Sequence, residues 1–445
     1  MGTVLTIITS AYYFMQFHKI TLLYFLFIFL IPFLPRYIGL GVGKEGFSLS
    51  LIRILLMILF MAFAVSFTQN SKYILNRIQL VYQKNKILIN TLLLFFLLKI
   101  ISLLLNCNTF PLYIILFNDF LFSIFIFFLT IVIIDSEESI ERLVKVLFYS
   151  YTIVLVIVII EYIVKYPLLS IFASDQMTLL EDVSQGYVKD DGRYRVSAGF
   201  DNPIPLGEYL TILFPLVISY INKNKYSLGL TIIYFLLFIF AVYATGSRAA
   251  ILMSVIMVYL YIMFNLYKSN QTIRIIMYIV NFIIAGFAVY FTYNFISGLI
   301  SGFSGSFLAY SSSEERSSVS RALQYIAIYA KSIEAPLLGF GRVRNASVEF
   351  QLGAIDNYFF IVILEVGIIG LFTYLTFNYL LIRMAVRQYI SGFTNYYLFP
   401  ILISIVLIIL YQILVSVPDV YIFLYIFAAL ICIMNTTQYP KGEIN

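Results

Sequence analysis

Tryptophan is missing altogether from this 445-residue chain; histidine occurs once, at His18, and cysteine twice, at Cys107 and Cys432. One histidine and two distant cysteines exclude a Cys/His zinc cluster and a disulfide framework. No metal and no cofactor is expected. Charge is scarce as well: 11% of the chain against 62% hydrophobic residues. That much apolar surface exceeds what a water-soluble core can hide, so lipid is the expected solvent. In such a chain the net charge of +6 reports orientation across a membrane and not affinity for nucleic acid. The N-terminus lacks a short apolar run followed by a small-residue cleavage site, so the first helix is expected to stay as an uncleaved anchor.

What the chain does have is about twelve apolar runs of helix-spanning length, and none shows the ten-residue alternation of an outer-membrane barrel. They lie near 20–35, 48–68, 86–105, 113–134, 143–164, 204–221, 226–246, 248–264, 275–296, 355–382, 396–416 and 419–434. The expected fold is all-α: a single polytopic membrane domain over 1–445 with about 12 transmembrane helices. Alternate short connections hold Lys72, Arg77, Lys84 and Lys86, then Arg142 and Lys145, Lys223 and Lys225, Lys268 and Arg274, and Arg383 and Arg387. By the positive-inside rule these face the cytoplasm, with both termini, and the turn at Arg248 faces outside.

Two connections on the outer side are too long to be turns, 165–203 and 297–354, and loops of that length between packed helices tend to be functional or disordered. The second becomes helical near 318–335. There Ala322, Tyr325, Ile326, Tyr329 and Ile333 recur at i, i+3, i+4 spacing, as expected of a helix lying on the membrane surface or on the outer helix ends.

The outward charges are mostly arginines: Arg193, Arg195, Arg248, Arg316, Arg321, Arg342 and Arg344. A guanidinium presents a planar fork of donors and stays charged when partly desolvated, so several of them at one interface point to a di-anionic headgroup such as a lipid-linked pyrophosphate. Asp356 stands where a polar head enters an apolar helix; it is either an N-terminal acid favoured by the dipole or a carboxylate able to accept a proton from a sugar hydroxyl. Glu349 nearby is open to the same role. Glu208 and Glu365 lie within spans, where an ionisable group is costly. Asp201 and Asn202 read as a helix cap. Lys99, Asp119 and Glu161 read as scattered mid-span charges. "GLGVGKEG", Gly39 to Gly46, lacks the spacing and the Ser/Thr of a phosphate-binding loop, so its glycines read as loop glycines.

Four segments resemble the O-antigen polymerase and O-antigen ligase superfamily in that family's order: "RVSAGFDNPIPLGEYLTILFPL", "ATGSRAAIL", "SRALQYIAIYAKSIEAPLLGFG" and "DNYFFIVILEVGIIGL". The resemblance implies a metal-independent glycosyltransferase acting on polyprenyl-pyrophosphate-linked oligosaccharides at the outer face of the bacterial cytoplasmic membrane. It implies that Arg248 and Arg321, and with them Arg193 and Arg195, hold the donor pyrophosphate; Arg316, in the same outer loop as Arg321, is a further candidate for substrate binding. On the residues themselves, Asp356 is the candidate to deprotonate or orient the acceptor hydroxyl, and Asn357, Glu208 and Glu365 are candidate substrate contacts, with the two glutamates equally open to bridging helices. Membrane lipids and a chain-length regulator are the partners the resemblance suggests. Ligases of the superfamily place a histidine before the asparagine of the last motif; here Asp356 precedes Asn357, which favours the polymerase branch. Two other readings stay open: a ligase that transfers the finished glycan, and a flippase for lipid-linked sugars.

Overall fold

The computed structural model describes residues 17–35, 38–41, 48–106, 110–172, 194–267, 313–343, 355–392, 395–415 and 420–437. Helices dominate them. In chain order they are α1 (Phe17–Leu30), α2 (Leu51–Lys84), α3 (Lys86–Asn106), α4 (Phe110–Phe120), α5 (Ile126–Ile133), α6 (Glu137–Val164), α7 (Pro203–Lys223), α8 (Leu228–Thr245), α9 (Arg248–Tyr267), α10 (Ser313–Ser332), α11 (Tyr358–Ile390), α12 (Leu398–Leu414) and α13 (Ile422–Thr437). α4 continues into α5 through a π-helical stretch, Leu121–Phe125.

Among the described residues, seven helical stretches are long and apolar enough to cross a membrane, and four more are apolar but shorter. The chain is a multi-pass membrane protein. The expected span near 275–296 lies outside the described residues. Two differences from the sequence reading stand out. The "GLGVGKEG" glycines are not all loop: Gly39–Gly41 pairs antiparallel with Ser48–Ser50 as a two-stranded ribbon. The Lys72–Lys84 connection is also helical, continuing α2 past a kink at Asn70. There Arg77 donates to the carbonyls of Ile131 and Ile134 (3.3 and 3.0 Å), satisfying acceptors that the end of α5 leaves open.

Local sequence chemistry sets the helix ends. Ser136 and Ser139 satisfy each other's backbone N–H groups at the start of α6, a reciprocal capping box. Asn202 Oδ1 accepts from Ile204 N (2.9 Å), and Pro203 at the first position has its φ preset for a helix. α8 ends on Gly246, at φ 58°, and Ser247 Oγ accepts from Ala250 N (3.3 Å) to open α9. That pair of caps turns the chain in two residues.

α7 is the central helix. It packs on α6, α8, α9 and α12 and is buried almost all round, including Glu208 and Thr211 at 0% exposure. A helix apolar on every face belongs inside a bundle.

Candidate functional site

The turn between α8 and α9 puts Arg248 at the first position of a helix, exposed. A helix N-terminus carries the positive end of the macrodipole and unpaired N–H groups, so a cation there is disfavoured for stability but matched to a bound anion. Arg195 joins it. Its Nε donates to Thr245 O (2.9 Å), and a Cβ built on Gly246 would meet the Arg195 side chain at 3.2 Å. Burial pulls the Arg195 guanidinium below its ordinary range, so a nearby anion would be favoured.

Arg195 is held in place by a residue the sequence reading left among the scattered charges. Glu161, at 0% exposure, accepts from Ser197 N (2.8 Å) and Tyr194 Oη (3.2 Å) on Oε1 and from Ala198 N (3.1 Å) on Oε2. The segment then crosses the end of α1 so closely that a Cβ on Gly199 would lie 2.4 Å from Pro32 O; Gly199 also has φ +99°, open only to glycine without strain.

At the same end of the bundle, Asn357 caps α11. Its Oδ1 accepts from Phe359 N and Phe360 N, and its Nδ2 donates to Ile413 O (2.9 Å). Asp356 sits just before it, half-buried, its N–H directed at Gln324 Oε1 of α10 (3.4 Å). Tyr411, two residues before Ile413, donates to Gly207 O of α7 (3.4 Å). Gly207 in turn lies against Ala250 and Ser247 of the arginine turn. The ends of α7 and α12 therefore stand between the Arg195/Arg248 corner and the Asp356 corner.

α11 is not continuous. Gly367, at φ 71° and ψ −169°, breaks it, and the segment after α10 docks into the break through Phe340 N to Leu364 O (2.7 Å), Gly341 N to Glu365 O (3.0 Å), Ile368 N to Pro336 O (2.8 Å) and Ile369 N to Leu337 O (3.4 Å). Non-helical backbone at such depth needs partners from the protein. Ser102 Oγ of α3 bonds Leu338 O and Glu365 O, and Asn106 Nδ2 donates to Gly339 O (3.1 Å). Thus "PLLGFG" and "LEVGIIG" interlock through their main chains.

The docked segment carries Arg342 into a cluster. Arg342 Nη1 lies 3.2 Å from Glu365 Oε1 and 3.4 Å from Asp119 Oδ2; Lys99 Nζ lies 3.4 Å from Asp119 Oδ2 and 3.8 Å from Glu365 Oε2. Burial works to lower the Arg342 guanidinium, but Glu365 and Asp119 outweigh it and leave it above its ordinary range. Lys99 and Asp119 are therefore not scattered: two cations and two carboxylates from four segments balance one another. Glu365 has both oxygens in this cluster.

Glu208 is buried in α7, with Tyr411 in its electrostatic reach. Arg316 and Arg321 lie on α10, but their side chains, like all of Arg193, Arg344 and Glu349, are outside the described residues. α10 meets α11 through Ile328 and an edge-on contact of Tyr325 with Phe360 (4.7 Å), while Tyr325, Ile326, Tyr329 and Ile333 of the expected apolar stripe remain exposed. Among the described residues no group of three or more His, Cys, Asp and Glu side chains suits a metal ion.

No curated protein matches the chain. Residues 233–375 match the family model described as O-Antigen ligase, a stretch running from within α8 to within α11. It contains the Arg248 turn, α10, the docked segment, Asp356 and the broken helix, and through it the chain's similarity supports the O-antigen ligase and polymerase superfamily.

Proposed function

We propose that the protein is a glycan polymerase that transfers a growing chain from its polyprenyl pyrophosphate to a hydroxyl of an incoming lipid-linked repeat unit, at the outer face of the bacterial cytoplasmic membrane. The observation that carries this reading is that Arg195 lies against Gly246 and bonds Thr245 O, on the turn that leads into Arg248 at the positive end of α9. As the bond from the sugar's anomeric carbon to the pyrophosphate oxygen breaks, negative charge gathers on the leaving group, and donors already in place stabilise it without reorganising. Arg321, on the helix whose Gln324 meets the Asp356 backbone, shares this role, with Arg193 and Arg316. Asp356 takes the proton from the acceptor hydroxyl whose oxygen attacks the anomeric carbon. Both substrates are anchored in one leaflet, which raises their effective concentration. No metal is needed for the charge balance.

A ligase reading draws on the description of the matched family and differs only in the acceptor. The two separate in cells carrying Arg248→Ala or Asp356→Asn, with variant protein levels measured alongside the length distribution of surface glycan. Polymerase function predicts that single repeat units accumulate at normal expression. Long chains that persist on the lipid carrier without reaching their final attachment point to a ligase, and lipid-linked units left on the cytoplasmic face point to a flippase.

A further inference from the structure

The segment that begins with Arg195 ends in a second cleft. Six residues on, Phe200 and Asp201 form one wall; the end of α1, the start of α2 and α4 form the others, with Ser50, Arg53, Asn118, Asp119 and Phe122 in the lining. Six residues of chain reach at most about 20 Å, so the cleft opens within that distance of the arginine turn.

Its chemistry differs from that of the turn. Its one arginine, Arg53, stands with Asp201 and with Asp119, which Lys99 and Arg342 already hold, so the lining offers no excess of positive charge for a pyrophosphate. Phe122 and Phe200 offer apolar faces among amide, hydroxyl and carboxylate groups. Ser50 holds the N-cap position of α2 yet makes no capping bond; it is 0% exposed, and its Oγ, like Asn118 Oδ1, has no hydrogen-bond partner among the described residues. Buried polar atoms of this kind normally have partners. Asn118 and Asp119 lie within one turn before the π-helical stretch Leu121–Phe125, to which Phe122 of the lining belongs; such stretches frequently mark functional positions. Asp119 Oδ2 is meanwhile fixed by Lys99 and Arg342.

We infer that this cleft is a carbohydrate subsite that binds a neutral sugar ring of the lipid-linked repeat unit. Ser50, Asn118 and Asp201 bond its hydroxyls, and Phe122 and Phe200 cover its C–H faces. The assignment rests on the polymerase reading for the identity of the glycan, but its geometry is separate from the pyrophosphate turn.

The test uses the full chain in lipid nanodiscs and, as probe, the repeat-unit oligosaccharide of the host freed from its lipid and pyrophosphate by mild acid. Saturation-transfer NMR should show binding to the wild type, and Asn118→Ala should weaken it about tenfold, as expected for the loss of one well-placed hydrogen bond. Ser50→Ala and Asp201→Asn serve as second and third variants, each checked for folding by its thermal melt. No binding to the wild type, or binding unchanged in all folded variants, overturns the subsite. The polymerase reading fails separately, if Arg248→Ala leaves the glycan ladder intact in cells.

Discussion

Gly367→Ala is the substitution for which the structure fixes the consequence most tightly. The position has φ 71° and ψ −169°, a region essentially reserved for glycine, where a side chain costs about 1–3 kcal/mol. The added Cβ would also lie 2.3 Å from Leu337 C and O, and main-chain atoms cannot swing aside as a flexible side chain does. The segment 336–341 must therefore undock or shift, and the four main-chain bonds it makes with α11 are worth about 1 kcal/mol each. A loss of about 3 kcal/mol for the docked state follows, equivalent to more than about a hundredfold in the opening equilibrium. Hydrogen exchange in the purified protein reads this directly: the amides of Phe340, Gly341, Ile368 and Ile369 should exchange more than about a hundredfold faster in the variant. Gly339→Ala should act alike, because its Cβ would lie 2.5 Å from Leu364 O. The double variant should cost little more than either alone, since both break one contact. Gly392→Ala is the control, with φ 79° but nothing within 4 Å of its Cβ. Exchange in Gly367→Ala within about twofold of wild type, the range of an inconsequential surface change, would refute the docking argument.

Glu161→Gln should release the Arg195 segment. The new amide has only one accepting oxygen for the two backbone N–H groups, and leaving one unsatisfied costs about 1–3 kcal/mol; the Ser197 and Ala198 amides should then lose exchange protection. Lys99→Met leaves Asp119 and Glu365 with a single cation, and breaking a buried pair costs about 3–5 kcal/mol. The thermal midpoint should fall sharply and recover in large part when Glu365→Gln restores the charge balance. Arg248→Lys should fail to replace arginine in glycan-length assays, because an ammonium keeps the charge but loses the bidentate fork; chain lengths equal to wild type would contradict the pyrophosphate role.

Periodicity and composition made the membrane helices legible, because lipid requires each span to be nearly all apolar and to bond its own backbone. The cap at Asn202 before Pro203 was legible because its chemistry is local, and so was the turn at Arg248, though not the part Gly246 and Ser247 take in capping it. The break in α11 was less visible, since "LEVGIIG" reads as a plain apolar run and only the docked partner from 336–341 makes the break affordable. Long-range pairing was not legible at all. Lys99, Asp119, Arg342 and Glu365 come from four segments, and no spacing along the chain announces that they meet. Glu161 was hidden for the same reason: its partners, two backbone N–H groups and the Tyr194 hydroxyl, lie on a segment more than thirty residues away, and backbone donors have no side-chain signature. The ribbon Gly39–Gly41 with Ser48–Ser50 escaped because three-residue strands are too short for an alternation to register.

The most direct measurement is reconstitution. The purified protein in liposomes, supplied with polyprenyl-pyrophosphate-linked repeat units and no other enzyme, should produce a ladder of lipid-linked glycans and release polyprenyl pyrophosphate, and Arg248→Ala should abolish both. Units that stay single in the presence of correctly inserted wild-type protein, or that only move from one leaflet to the other, would contradict the account.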